Sequence, residues 1–210
     1  MPRTAIPDTD FMIGDRHRVI CLGDSITAAE DSYVAICRNL ITAAYPERHI
    51  HVINAGTGGN RSVDILARLD RDAISQRPDW IVVNVGVNDV WHGANGVALN
   101  KYRQCLNAIA TQILEKSSAH VVFMTPTIIG EELENDANRQ LEGYCHAMED
   151  IARDFDFILS PTHEEFIGVL RRGLTTYPGF RLTTDGVHMN PIGNYAMALS
   201  LLRTLRFRIG

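Results

Sequence analysis

Short apolar runs alternate with longer amphipathic stretches along this chain. Five runs rich in Val, Ile or Phe stand at Arg18–Leu22, His51–Asn54, Trp80–Val85, His120–Thr125 and Phe155–Leu159. Each is close to the ~5–6 residues of a typical strand. They are nearly continuous in apolar character, which fits parallel strands covered on both faces. Between them, Leu99, Tyr102, Leu106, Ile109 and Ile113 recur at spacings of three and four, placing one apolar stripe on a helix. Ser32–Ala44, Ser62–Ser75 and Leu133–Asp154 follow the same rule. The last helix has a clean start. Asn190 is a good N-cap, and Pro191 fits the first helical position, where its missing N–H costs nothing. Ile192, Ala196, Leu199 and Leu202 then mark its expected buried face. Thr162–Thr184 is the least regular stretch, read as a short helix followed by a loop around Tyr177-Pro178-Gly179. Strands alternating with helices predict a three-layer α/β/α domain around a central parallel sheet with right-handed connections.

At 210 residues the chain can bury one substantial core, and it is read as a 1–14 N-terminal extension followed by one domain over 15–210. The extension carries Pro2, Pro7, Asp8 and Asp10 without a long apolar stretch, so neither an export signal nor an anchor is expected there. No segment approaches the ~20 apolar residues of a spanning helix. A cytoplasmic location without membrane contact is the expectation. The formal net charge is −5, and the basic residues are scattered rather than gathered into the stripe that nucleic acid needs. Cys21, Cys37, Cys105 and Cys145 fall far apart within apolar patterns, as buried free thiols do. None stands in a C-x-x-C or Cys/His cluster, so structural zinc is not expected.

The chemistry lies in the turns. In an open parallel sheet, ligands bind outside the carboxyl ends of the strands. Gly23-Asp24-Ser25, the Asn54–Asn60 turn and Gly86-Val87-Asn88-Asp89 each follow an apolar run, and Pro126 and Thr127 join the same rim. A serine hydroxyl becomes a nucleophile only when a base removes its proton. His188 is the candidate base, and Asp185 can bend back across Gly186 to hold its ring. The same Asp185-x-x-His188 pattern also suits a plain capping turn before the helix. The Asn88 amide, with the backbone N–H groups of Ser25 and Gly59, could donate to an oxyanion. Equally, Asn88 suits a self-bonded turn and Gly59 a left-handed one. Asp24 and Asp89 are read as loop-holding carboxylates. Trp91 and His92 are candidates for a pocket lining, as are Phe166, Leu170 and Tyr177 for a pocket wall or lid.

Gly23-Asp24-Ser25, Gly59 within Asn-x-Gly-x-x-Gly, Gly86-x-Asn88-Asp89 and Asp185-x-x-His188 resemble, in order and spacing, the four blocks of the SGNH (GDSL-type) hydrolase superfamily. The likeness runs from Cys21 to the last helix, and Thr184–Pro191 looks closest to small bacterial esterases of that group. Ile26-Thr27 departs from the leucine of the family name, a change that leaves the chemistry intact. The resemblance implies a flavodoxin-like sheet of five parallel strands ordered 2-1-3-4-5. It also implies ester hydrolysis through an acyl-enzyme, with no cofactor and no metal. Ser25 becomes the nucleophile, His188 the base, Asp185 its orienter, and Ser25, Gly59 and Asn88 the oxyanion hole. Asp185→Asn is expected to hurt less than losing Ser25, because a carbonyl still orients the ring. Small-molecule or carbohydrate esters with short acyl groups, acetyl above all, are the implied substrates. Small esterases of this kind often pair, so the resemblance extends to a homo-oligomer. An acyltransferase to a sugar or alcohol and an idle acyl-glycan-binding module share the pattern. A nucleotide or flavin binder does not, since no phosphate-cradling glycine spacing follows the first strand.

Overall fold

The computed structural model describes residues 11–208. In chain order the elements are β1 (Arg18–Gly23), α1 (Ser25–Ala28), α2 (Tyr33–Ala44), β2 (His51–Gly56), α3 (Ser62–Asp72), β3 (Trp80–Asn84), α4 (Val87–Trp91), α5 (Leu99–Lys116), β4 (His120–Met124), α6 (Asp136–Asp154), β5 (Ile158–Ser160), α7 (Thr162–Thr176) and α8 (Pro191–Thr204). The five strands form one sheet in the order β2-β1-β3-β4-β5, and every pairing is parallel. This is the expected architecture. α2, α8 and α7 pack together as one covering layer, and α3, α5 and α6 as another. Apolar runs with no polar face are the reason: β3 is buried along its whole length, as a strand covered on both sides must be.

Strand order reverses at β1, which lies between β2 and β3. Gly23 at its end is in register with Gly56 of β2 and Asn84 of β3. The three turns that follow therefore leave the sheet side by side, at the switch point where open sheets bind ligands.

Several local expectations need correction. Thr162–Thr176 is one helix of 15 residues rather than a short one. Phe166 and Leu170, four apart on it, are core residues at 1% and 0% exposure, not a lid or pocket wall. The fifth strand starts at Ile158, because Asp156 turns left-handed (φ 52°) and Phe157 N–H closes back on Ala152 O. α6 starts at Asp136, since Asn135 caps it by accepting Asn138 N–H at 2.8 Å. On α8 the expected apolar face is half right: Leu202 is buried and Ala196 packs against the core, but Ile192 and Leu199 are exposed, while Gly193, Asn194, Met197, Ala198, Ser200 and Leu201 face inward. This helix is apolar around most of its girth, so periodicity cannot choose a face. Close approach does, because a Cβ on Gly193 would lie 2.1 Å from Leu182 O.

Of the segment read as an extension, residues 1–10 lie outside those described. Phe11, Met12 and Ile13 are buried, with Phe11 stacked on Tyr45 at 5.0 Å and edge-on to Phe207. All four cysteines are free and buried. Among the described residues no helix is long and apolar enough to cross a membrane.

Candidate active site

β1 runs straight into the site. A Cβ on Gly23 would lie 2.1 Å from Thr27 Oγ1 and 2.8 Å from Asn84 O, so only glycine lets the chain turn there. Asp24, buried beneath the turn, accepts Ile26 N–H at 2.9 Å and caps α1. Ser25 is the first residue of that one-turn helix. Asn54 within β2 donates to Thr27 O at 2.6 Å and ties α1 to the neighbouring strand.

His188 arrives from the other end of the chain on a tight loop. Thr183 and Met189 bridge its base, Thr184 N–H donates to His188 O, and Gly186 (φ +95°) turns its tip. Asp185 does two things at once. Its Oδ1 accepts Val187 N–H at 3.0 Å and His188 N–H at 2.8 Å, which makes the capping turn. Its Oδ2 lies 2.7 Å from His188 Nδ1, and His188 Nε2 lies 3.0 Å from Ser25 Oγ. The two readings of this motif in the sequence are thus one structure. Partial burial pushes the Asp185 carboxyl up, but bonds from the His188 ring and from the His188 and Val187 N–H groups outweigh it and hold the pKa at about 2. An ionised Asp185 accepts a hydrogen bond from Nδ1–H, which keeps the ring proton on Nδ1 and leaves the Nε2 lone pair facing the serine hydroxyl.

The loop is braced from a quarter that sequence patterning missed. Glu131 Oε1 accepts Leu182 N–H, Thr183 N–H and Thr183 Oγ–H, each at 2.7 Å. Gly130 N–H donates to Gly186 O. Glu131 falls in an irregular stretch, where no period marks it.

Gly59 adopts φ +73°, and nothing lies within 4 Å of where its Cβ would be. Asn88 is buried on α4 and gives one amide N–H to Asn60 O at 3.0 Å. An amide nitrogen carries two N–H groups, and this bond uses one of them. The Gly59 turn and Asn88 are thereby tied to each other, beside the turn that carries Ser25. Asp89 accepts Ser62 N–H at 3.1 Å and Ser62 Oγ–H at 2.5 Å, binding α4 to the start of α3. Both buried aspartates hold loops, as expected. Burial raises Asp24 to about 7, with Asp89 adding to the rise, and burial raises Asp89 to about 6 against its bonds from Ser62.

Trp91 stands three residues beyond Asn88, 47% exposed, its ring 6.0 Å from that of His188 and nearly perpendicular to it. The His92 ring lies 5.9 Å from that of Trp91, tilted 43° to it. Beside Asp185 opens a groove of about 470 Å³ lined by Glu131, Asn135, Arg181 and Gly186. From the irregular segment it takes Leu174, Pro178 and Phe180 rather than Tyr177, which points to solvent. Among the described residues no group of three or more His, Cys, Asp or Glu is placed to hold a metal ion.

Residues 21–196 match the model of the GDSL-like Lipase/Acylhydrolase family. An acetylxylan esterase of Geobacillus stearothermophilus is 31% identical over 218 residues, covering 93% of this chain and 96% of that protein. The crystal structure of Axe2, an acetylxylan esterase from the same organism, superposes with a TM-score of 0.84 at 29% identity, covering 93% of this chain and 97% of that one. LAE5, an α/β hydrolase from the metagenome of Lake Arreo, shares the fold with a TM-score of 0.83 at 22% identity, covering 92% of this chain and 96% of that one. The chain belongs to the GDSL-like lipase/acylhydrolase family and is a carboxylic ester hydrolase of that type.

Proposed function

We propose that this protein removes acetyl groups from short acetylated xylo-oligosaccharides by two-step acyl transfer, with 15–210 and the core residues Phe11, Met12 and Ile13 acting as one catalytic domain. His188 takes the Ser25 proton as Oγ attacks the acetyl carbonyl. The N–H groups of Ser25 and Gly59 and the Asn88 amide stabilise the oxyanion. His188 then returns the proton to the departing sugar oxygen as the ester C–O bond breaks. Water, deprotonated by His188, attacks the acetyl-serine, and acetate leaves as Oγ regains its proton.

One observation carries this reading: Asp185, His188 and Ser25 form an unbroken line of hydrogen bonds at 2.7 and 3.0 Å. Support also comes from Axe2, in which variants of an aspartate, a serine and a histidine are described as catalytic mutants, the aspartate and histidine three positions apart. Axe2 is described as an acetyl-xylooligosaccharide esterase, which supports the substrate class. The test is acetate release from acetylated xylo-oligosaccharides alongside a chain-length series of p-nitrophenyl esters, with Ser25→Ala as control. Preference for acetate and loss of both activities in Ser25→Ala are expected. Preference for octanoate or longer would overturn the substrate assignment.

A further inference from the structure

Arg68 lies on the inward stripe of α3 with Ser62, Ile65 and Leu69, and it is 8% exposed. A charge in such a place is costly unless its donors are matched. They are matched by the site's own loops. Nη2 donates to Gly23 O at 2.7 Å and Nη1 to Ala55 O at 2.8 Å, both at the carboxyl ends of strands. Nε donates to Asn60 Oδ1 at 2.6 Å, and Nη1 also meets Asp72 Oδ2 at 3.0 Å, a counter-charge one helical turn on.

Two of these contacts, to Gly23 and Asn60, fall within two residues of two of the donors proposed above, and Asn60 reaches the third through one hydrogen bond. Gly23 is two residues before Ser25. Asn60 follows Gly59 directly, and its carbonyl holds the Asn88 amide at 3.0 Å. A lysine could not reproduce this, because the fork of the guanidinium sends separate N–H groups to Gly23, Ala55 and Asn60 at once. A residue kept only for packing at this stripe position would be apolar.

We infer that Arg68 is a positioning residue for the oxyanion hole, clamping the turns after β1 and β2 so that the Ser25, Gly59 and Asn88 donors converge. The inference rests on the hole proposed above. A purely structural tie would lower stability without caring whether Asn88 is present.

The test is a double-mutant cycle on p-nitrophenyl acetate with Arg68→Lys, Asn60→Ala, Asn88→Ala and the two doubles. Arg68→Lys is expected to lower kcat about 10- to 100-fold with KM changed by less than ~2-fold, the pattern of a lost transition-state interaction. Asn60→Ala, which removes a single bond and keeps the fold if Arg68→Lys does not, is expected to lower kcat about 3- to 10-fold. Each is expected to cost at least ~3-fold less once Asn88 is already alanine, because groups acting as one unit are not additive. Losses that multiply fully in the doubles, or full kcat in both folded single variants, would overturn the role of Arg68 while leaving the hole intact. Full turnover in Asn88→Ala alone would take Asn88 out of the hole and overturn the coupling of Arg68 to it.

Discussion

His188 Nε2 stands 3.0 Å from Ser25 Oγ across 163 residues of sequence, and Asp185 decides what that contact can do. Its two oxygens have separate tasks, one accepting two backbone N–H groups and the other the ring N–H.

Asparagine cannot serve both. With its carbonyl kept by the Val187 and His188 N–H groups, its NH2 faces Nδ1 and forces the proton onto Nε2, where it blocks Ser25. Asp185→Asn is therefore expected to lose about 10⁴ in kcat, against about 10⁶ for Ser25→Ala. This is the ranking expected from the sequence, but with the wrong tautomer rather than weaker orientation as the expected cause. Steady-state kinetics on p-nitrophenyl acetate measure it, and a loss below tenfold would exclude the tautomer argument.

Asn88→Ala removes a side-chain donor from a buried position on α4 and frees Asn60 O. A fall of about 10²–10³ in kcat, roughly 3–4 kcal/mol, is expected with little change in KM. Unchanged turnover would take Asn88 out of the oxyanion hole.

Trp91 presents an exposed ring beside His188, where the sugar of the proposed substrate would meet it. Trp91→Ala is expected to raise KM for acetylated xylo-oligosaccharides about 3- to 10-fold, the scale of one aromatic contact. Ethyl acetate, which has no ring to place there, should be unaffected. An equal change for both esters would argue against a sugar-facing role.

Much of this was legible in the sequence because each block joins a strand end to a polar turn. β1, β2 and β3 are short apolar runs, and Ser25, Asn88 and the Gly59 turn sit just past them. Arg68 and Asn60 were not legible. A single arginine beside Ile65 and Leu69 looks like a solvated edge position, and only the folded sheet brings Gly23, Ala55 and Asn60 around it. Glu131 was hidden for the same reason, since its partners lie 51 and 52 residues away at Leu182 and Thr183. The face of α8 was partly misread because a helix apolar on nearly every side carries no directional signal.

Asp24 gives a pH dependence with a definite sign. Its folded pKa is raised from 3.8 to about 7, chiefly by burial. Between those values the folded protein keeps a proton that the unfolded chain has released, so this residue's contribution to stability falls as pH rises across that window. Asp24→Asn keeps the acceptor for Ile26 N–H without the charge. It is expected to raise Tm by several degrees at pH 8, with the gain fading as pH approaches 4. Thermal unfolding followed by circular dichroism checks this, and a pH-independent difference would contradict it.

The most direct measurement is mass spectrometry of the enzyme quenched during turnover of p-nitrophenyl acetate. One acetyl group on the peptide bearing Ser25, with neither adduct nor turnover in Ser25→Ala, is the expected result. Acetyl on another residue, or a Ser25→Ala enzyme that still turns over at the normal rate, would contradict the assignment of Ser25 as nucleophile.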